Sequence, residues 1–240
     1  MRSGERPVMK KTLKLRIIVA LFLCIGISPQ MLPAAAETAA PIVTAGRLQA
    51  AYEDTAGLVA DFRQHTAMQL NRRGKSGSGT VVFLKPGHMR WDYFAPDRQI
   101  LISDGRTITM YFEKSMQMIV TAAREYLQSD VTYSFFSGSG NIMEDFTISA
   151  GDGTVDDTAG TSLIKLVPKK AHPQISRLYV WVADDTSLIN RIRMVDHFDT
   201  ITDLFFDNIK RLSNTDSTGP VIDSKLFTFI PPPGTEIINQ

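Results

Sequence analysis

One cysteine, Cys24, is the only thiol in this chain of 240 residues, and it lies inside an apolar N-terminal stretch. No disulfide can form within the chain, even in an oxidising compartment, so packing alone must hold the fold together. A long hydrophobic run is also missing. The most apolar segment, residues 17–27, is eleven residues long, against the ~20 that cross a bilayer as a helix. It follows Arg2, Arg6, Lys10, Lys11, Lys14 and Arg16 and is followed by Ser28-Pro29, Pro33 and the small residues Ala34-Ala35-Ala36. That order reads as an export signal removed after residue 36, in preference to an uncleaved anchor, and leaves residues 37–240 as one domain. Phe22 and Leu23 stand where a lipid-bearing cysteine needs small residues, so the mature chain is expected to carry no lipid of its own.

Excess positive charge is absent too. Six of the 26 Lys and Arg and one of the 25 Asp and Glu precede residue 37, so the remainder carries 20 against 24, a net charge of −4. No basic run interleaved with aromatics remains, which argues against nucleic acid and against anionic membrane surfaces as partners. The densest cluster, Arg72-Arg73 with Lys75, sits among Asn, Gly and Ser and reads as a solvated hairpin loop. Catalytic signatures are missing as well. There is no Gly-x-Ser-x-Gly, no phosphate-binding or dinucleotide glycine pattern, and the four histidines, His65, His88, His172 and His197, are scattered. A secreted lipid hydrolase would need a nucleophile and a base. The one local grouping, Asp196-His197-Phe198-Asp199, reads as turn chemistry rather than an acid–base or metal site. The three aspartates of residues 149–160 do not have calcium-loop spacing and read as an exposed hairpin loop. No cofactor or metal is expected.

What the chain does have is strand periodicity. Met89, Trp91 and Tyr93 alternate with Arg90 and Asp92; Ile108, Met110 and Phe112 alternate with Thr107, Thr109 and Tyr111; Asp104-Gly105 between them is a hairpin signal. Helical spacing of Leu48, Ala51, Tyr52 and Leu58 predicts a helix over 44–60 with Thr44 as N-cap. Strands follow over 62–70, 80–84, 89–93, 99–103, 107–112, 115–121, 146–149, 161–167, 175–182, 188–196, 199–210 and 225–230, with two short helices over 124–145 between the two strand blocks. No parallel βαβ rhythm is present. One antiparallel sheet of this length curls by its own twist, with one greasy face and one wet face.

The ordered set Phe62-Arg63-Gln64, Lys85-Pro86, Arg90-Trp91, Pro96, Ser103-Asp104-Gly105, Leu166-Val167-Pro168-Lys169 and Phe227-Thr228-Phe229-Ile230-Pro231 with Gly234 resembles the periplasmic outer-membrane lipoprotein carrier family, LolA. The resemblance runs from about residue 48 to 237. It implies a mainly β fold with helices (α+β): a single curved antiparallel sheet forming an incomplete barrel, covered by about three helices that enclose an apolar cavity for acyl chains. Phe83, Met89, Trp91, Ile102, Met110, Phe112, Phe135 and Phe136 are the candidates to line it; the competing reading is an ordinary filled core. Adaptable thioethers at Met89, Met110, Met116, Met118 and Met143 fit such a surface, although Met116 and Met118 turn outward if that strand's register shifts by one. The family places an arginine before the proline, where it is thought to bond lid carbonyls. Lys85 stands there in this chain and is the candidate lid contact, against the alternative of an exposed strand-end lysine. The resemblance further implies a soluble, monomeric, non-enzymatic periplasmic chaperone. It would take acylated lipoproteins from an inner-membrane ATP-driven release complex (LolCDE-like) to an outer-membrane receptor (LolB-like) or to that membrane directly. A carrier or sensor of another lipophilic molecule on the same fold is the alternative.

Overall fold

Apolar side chains at every second position dictate the architecture, and the computed structural model describes it for residues 34–68, 71–123, 140–213 and 222–240. Twelve strands form one open, curved sheet: β1 (Thr55–Met68), β2 (Asn71–Leu84), β3 (His88–Ala95), β4 (Gln99–Asp104), β5 (Thr107–Phe112), β6 (Gln117–Ala122), β7 (Phe146–Ala150), β8 (Thr161–Pro168), β9 (Arg177–Ala183), β10 (Ile189–Val195), β11 (Ile201–Ser213) and β12 (Glu236–Asn239). Their spatial order is β12-β6-β5-β4-β3-β2-β1-β11-β10-β9-β8-β7. Every pairing is antiparallel except β12 with β6, which is parallel and closes one edge. Among the described residues there are two α-helices, α1 (Ala34–Glu53) and α2 (Ile142–Asp145), where about three were expected. The remainder of that expectation falls on residues 124–139, outside the described residues.

The inner face holds the main core. Trp91 on β3 and Phe206 on β11 lie three strand spacings apart, about 14 Å on a flat sheet, yet their ring centroids are 6.3 Å apart. Only a strongly curled sheet brings them together. Phe62 on β1 sits edge-on to both Trp91 and Tyr93 at 4.7 and 4.8 Å. Gly79 makes this packing possible: it lies between Phe62 and Tyr93 in register, and a Cβ there would stand 1.8 Å from the Asp92 carbonyl oxygen. Helix α1 packs on β7, β8, β1 and α2 through buried Thr44, Ala45, Leu48 and Tyr52.

The first helix ends at Glu53 rather than running to residue 60, and Thr44 is buried inside it instead of capping it. Leu58, Ala60 and Phe62 keep strand alternation along β11, and that long pairing outweighs the helical spacing of Tyr52 and Leu58. The Arg72–Gly79 stretch is not a loop but half of β2, because β1 offers it a ladder to Asn71. Residues 225–230 do not form a strand. A single 3-10 turn occupies Ser224–Phe227, with the Asp223 side chain accepting from the Lys225 amide, and the last strand comes after Pro231-Pro232-Pro233 as β12. Those prolines lack the N–H that a ladder requires.

Nor is the outer face simply wet. On β3–β6 a second apolar cluster of Ile100, Ile102, Tyr111 and Met118 is covered by Ile222, Phe227 and Phe229 of the C-terminal segment. Met118 therefore points outward, and Met116 takes a left-handed conformation (φ 52°) in the turn before β6. On β8–β11 a third cluster, Tyr179, Trp181 and Val195, is covered by Val155 of the 151–160 connection. Beside it, Asp203 accepts from Arg191 (2.9 Å) and Arg193 (2.8 Å), and the Arg191 guanidinium lies over the Trp181 ring at 4.1 Å.

The 151–160 connection is tied down by Asp152, which accepts from Lys165 Nζ (2.7 Å), Thr154 Oγ1 (2.5 Å) and Tyr179 OH (2.9 Å). The lysine first, then Thr154, holds the Asp152 carboxyl well below the usual carboxylate range. A carboxyl depressed in the folded state adds stability above its unfolded value of ~4 and loses it as pH falls through the lower folded value. Asp152→Asn is thus expected to melt below wild type at pH 7, and the gap is expected to close as pH falls below about 4 in thermal melts.

Candidate functional site

The inner face is the candidate site, and strand parity decides which residues reach it. Phe83, Met89 and Trp91 lie there, with relative exposures of 3, 1 and 6 %. They are contiguous with Leu58, Phe62, Val81, Leu204 and Phe206. Cross-strand register carries the same face onward: Trp91 opposes Leu101, Leu101 opposes Met110, and Met110 opposes Ile119. Phe112 shares this face one pair further on, opposite Gln99 and Gln117. Unlike the deep residues of β1–β3, Leu101, Met110, Phe112 and Ile119 are only half-buried. The inner face thus grades from a filled aromatic core at β1–β3 and β11 to a partly open apolar strip on β4–β6.

Ile102 does not join the other candidates. It opposes Arg90 and Thr109 on the outer face and is buried beneath the C-terminal segment. In Ile100-Leu101-Ile102 three consecutive apolar residues conceal the parity, and Leu101 is the one that faces inward. Phe135 and Phe136 lie outside the described residues. Among the inner-face residues that sequence reasoning left out of the site are Phe62, Leu101, Ile119 and Phe206, although alternation in register with Trp91 marks the first two. Arg90 points outward as its alternation implies: it pairs with Asp92 (2.6 Å) and donates to the Leu226 carbonyl (2.8 Å), clasping the C-terminal segment.

Phe62 and Gln64 act together on the inner face. While the Phe62 ring packs on Trp91 and Tyr93, the Gln64 Oε1 accepts from Tyr93 OH at 2.8 Å, so the phenol's polar end is satisfied at the rim of the apolar surface. Tyr52, fully buried against this core, has its phenol pKa pushed up by desolvation.

Lys85, at the start of the β2–β3 turn, is not a free strand-end lysine. Its Nζ donates to the carbonyls of Tyr52 (2.5 Å) and Glu53 (3.2 Å), the last residues of α1. These carbonyls have no partner within the helix, and a cation at the negative end of the helix dipole satisfies them. Burial pushes the Lys85 amine below its ordinary value, opposed by the neighbouring Glu53 and Asp54 carboxylates. The ammonium, Tyr52, Leu58 and Phe83 line one narrow crevice where the helix end meets the inner face.

One turn back along α1, Gln49 is the second polar tie. Its Oε1 accepts from the Ile142 amide (3.1 Å), and its Nε2 donates to the Gly140 carbonyl (3.4 Å) and to Glu53 Oε1 (3.0 Å). Asn141 caps α2, its side chain accepting from the Met143 and Glu144 amides, and Ile142 enters the inner-face core.

The histidine and carboxylate grouping is a turn. Asp196 accepts from the amides of Phe198 and Thr200, both at 2.8 Å, while His197 Nε2 contacts the His172 carbonyl. Burial raises the Asp196 pKa, but the amide hydrogen bonds outweigh it and hold the carboxyl below its ordinary value. Among the described residues no group of His, Cys, Asp and Glu is arranged to hold a metal ion, and no helix is long and apolar enough to cross a membrane.

A family model described as outer membrane lipoprotein carrier protein LolA matches residues 53–229, a span that includes the whole half-buried strip and Lys85 but not Gln49. An outer-membrane lipoprotein carrier protein of Methylococcus capsulatus is 28 % identical over 224 residues, which cover 93 % of this chain and 97 % of that protein. One from Nitrosomonas europaea is 25 % identical over 166 residues, covering 69 % and 74 %. Among solved structures, an uncharacterized conserved protein from Thermus thermophilus superposes with a TM-score of 0.51 at 9 % identity, over 83 % of this chain and 98 % of that one. That likeness shows the fold alone.

Proposed function

The chain belongs to the LolA family of outer membrane lipoprotein carrier proteins, and from that premise we propose that it is a periplasmic chaperone that shields lipoprotein acyl chains on its inner apolar face and moves them from the inner to the outer membrane. Leaving acyl chains in water costs ~0.8 kcal/mol for every methylene not buried. A soluble carrier must hide them and still give them up, which favours nondirectional burial over specific polar contacts. The observation that carries this reading is the half-buried strip of Leu101, Met110, Phe112 and Ile119, an apolar surface continuous with the core that the core does not consume. Phe83, Met89 and Trp91 form its floor, and Phe135 and Phe136 are proposed as further residues that contact the chains. Burial by this surface needs no cofactor and no catalytic group.

In the same reading residues 1–36 are a cleaved export signal and residues 37–240 act as a monomer. Cargo arrives from an ATP-driven inner-membrane release complex and leaves to an outer-membrane receptor or to that membrane directly. Recovery of the mature protein from its own periplasm, with mass spectrometry of what copurifies, tests the assignment. Acylated lipoproteins are expected. A free lipid alone would transfer the assignment to a carrier of another lipophilic molecule, and hydrolysed lipid would point to an enzyme.

Lys85 is the lid contact in this account, acting through α1. A guanidinium can satisfy two carbonyls with one planar fork, whereas an ammonium must be ordered separately for each bond. Lys85→Arg is expected to slow entry of an apolar fluorescent probe and Lys85→Leu to speed it, each by roughly tenfold, as the loss or gain of a charged hydrogen bond implies. Equal entry rates for all three side chains would make Lys85 only a helix-end anchor.

A further inference from the structure

Helix α1 is held at two points by polar side chains whose partners are backbone groups of other elements. Lys85 grips its last two carbonyls from the β2–β3 turn, and one turn earlier Gln49 reaches out from α1 to the Gly140 carbonyl and the Ile142 amide. Both groups flank Asn141, so the side-chain amide of Gln49 brackets the cap of α2 with one acceptor and one donor. The third bond, to Glu53 Oε1, fixes which end of that amide is nitrogen, because a carboxylate only accepts. Ile142, whose amide Gln49 binds, is itself 4 % exposed in the inner-face core, and Phe146 after α2 is 7 % exposed there. A four-residue helix has no length with which to hold itself in place; besides β7, into which it runs, its ties are Gln49 of α1 at its start and Lys169, whose amide and Nζ donate to the Asp145 and Met143 carbonyls.

We propose that Gln49 is a positioning residue for acyl-chain entry: it makes α2 travel with α1, so that the grip of Lys85 on one end of α1 also sets where Ile142 and Phe146 close the inner face. This deepens the carrier assignment and rests on it. Two features of the molecule support it. The bonds are reciprocal, donor to carbonyl and acceptor to amide, a pattern that specifies position rather than mere proximity. The two ties also lie one turn apart on a single rigid element, with no other helix between them among the described residues.

The test uses the mature chain with Gln49→Ala, Gln49→Glu, Lys85→Leu and the Gln49→Ala/Lys85→Leu pair. Gln49→Ala is expected to speed amide exchange at Ile142, Met143 and Glu144 and to raise the entry rate of an apolar fluorescent probe roughly tenfold, the scale of a lost pair of hydrogen bonds. In the double variant the two effects should fall short of multiplying, because both release the same helix. Gln49→Glu is the readout that a general loss of stability would not reproduce. At pH 7 the introduced carboxylate cannot donate to Gly140 and repels Glu53, so entry should be fast. Below pH ~4.3 the protonated carboxyl regains a donor and entry should slow toward the wild-type rate measured at the same pH. Faster amide exchange in Gln49→Ala with unchanged probe entry, or fully multiplicative effects in the pair, would overturn the proposal and leave the carrier assignment standing. A wild-type protein that takes up no acyl probe would overturn both.

Discussion

Phe112→Asp is expected to lower acyl-lipid affinity by roughly a hundredfold or more while leaving the protein folded. Phe112 is on the inner face by register with Gln99 and Gln117 and is only half-buried, so a carboxylate there can still reach water in the empty protein. Once an acyl chain covers the strip, the same carboxylate is desolvated without a partner, at a cost of several kcal/mol. Met110→Asp should behave alike, whereas Arg90→Ala, on the outer face, should leave affinity within about threefold, because it touches Asp92 and the Leu226 carbonyl and no inner-face atom. Titration of each variant with a fluorescent fatty-acyl probe, alongside circular dichroism, separates the outcomes. Equal affinities in folded variants would place the ligand elsewhere.

Asp203→Ala is expected to cost the most stability of any single change considered. Asp203, 7 % exposed, is the one carboxylate shared by Arg191 and Arg193, and each guanidinium gives it two hydrogen bonds. Removing it leaves two cations with reduced access to water and no counter-charge, a loss of ~3–5 kcal/mol. For a domain of this size that corresponds to a fall in melting temperature of about 10 °C. The Arg191 side chain would keep its stacking on Trp181 and Phe205. Double replacement, Asp203→Ala with Arg193→Met, should therefore recover part of the loss by removing one stranded charge.

The sheet was legible where alternation was clean. Met89, Trp91 and Tyr93 against Arg90 and Asp92 assign the faces of β3 without ambiguity, and the Asp104-Gly105 hairpin appears with Gly105 at φ 85° and Asp104 accepting from the Arg106 and Thr107 amides. Alternation cannot report parity where three apolar residues run together, which is why Ile102 reads onto the wrong face and Leu101 escapes notice. Composition also misleads in two places. The Gly- and Ser-rich start of β2 has low strand propensity, yet β1 supplies its ladder, and Gly79 is needed there because the β3 backbone at Asp92 and Tyr93 approaches too closely to leave room for a side chain. Aromatic residues near the C-terminus suggest a strand, but Phe227 and Phe229 serve as covers for the outer apolar cluster. No periodicity in a single sequence can announce that a segment will lie across a sheet rather than within it.

The polar half of the site was less legible still. Lys85 entered through a family pattern, and its partners, the last carbonyls of α1, could be identified only once the helix end was placed at Glu53. Gln49 gave no signal at all, since a glutamine on a helix surface is ordinary and its partners on either side of Asn141 lie 91 and 93 residues away.

Site-specific photocrosslinking from two adjacent positions of β5 tests the central claim most directly. Phe112 faces inward on the half-buried strip, while Tyr111 beside it is 3 % exposed in the outer cluster against Phe229. With a photoreactive phenylalanine analogue at one position or the other, and lipoprotein cargo bearing isotopically marked acyl chains, the account predicts acyl adducts from position 112 and none from 111. Acyl adducts from 111 but not 112, or equal adducts from both, would contradict it.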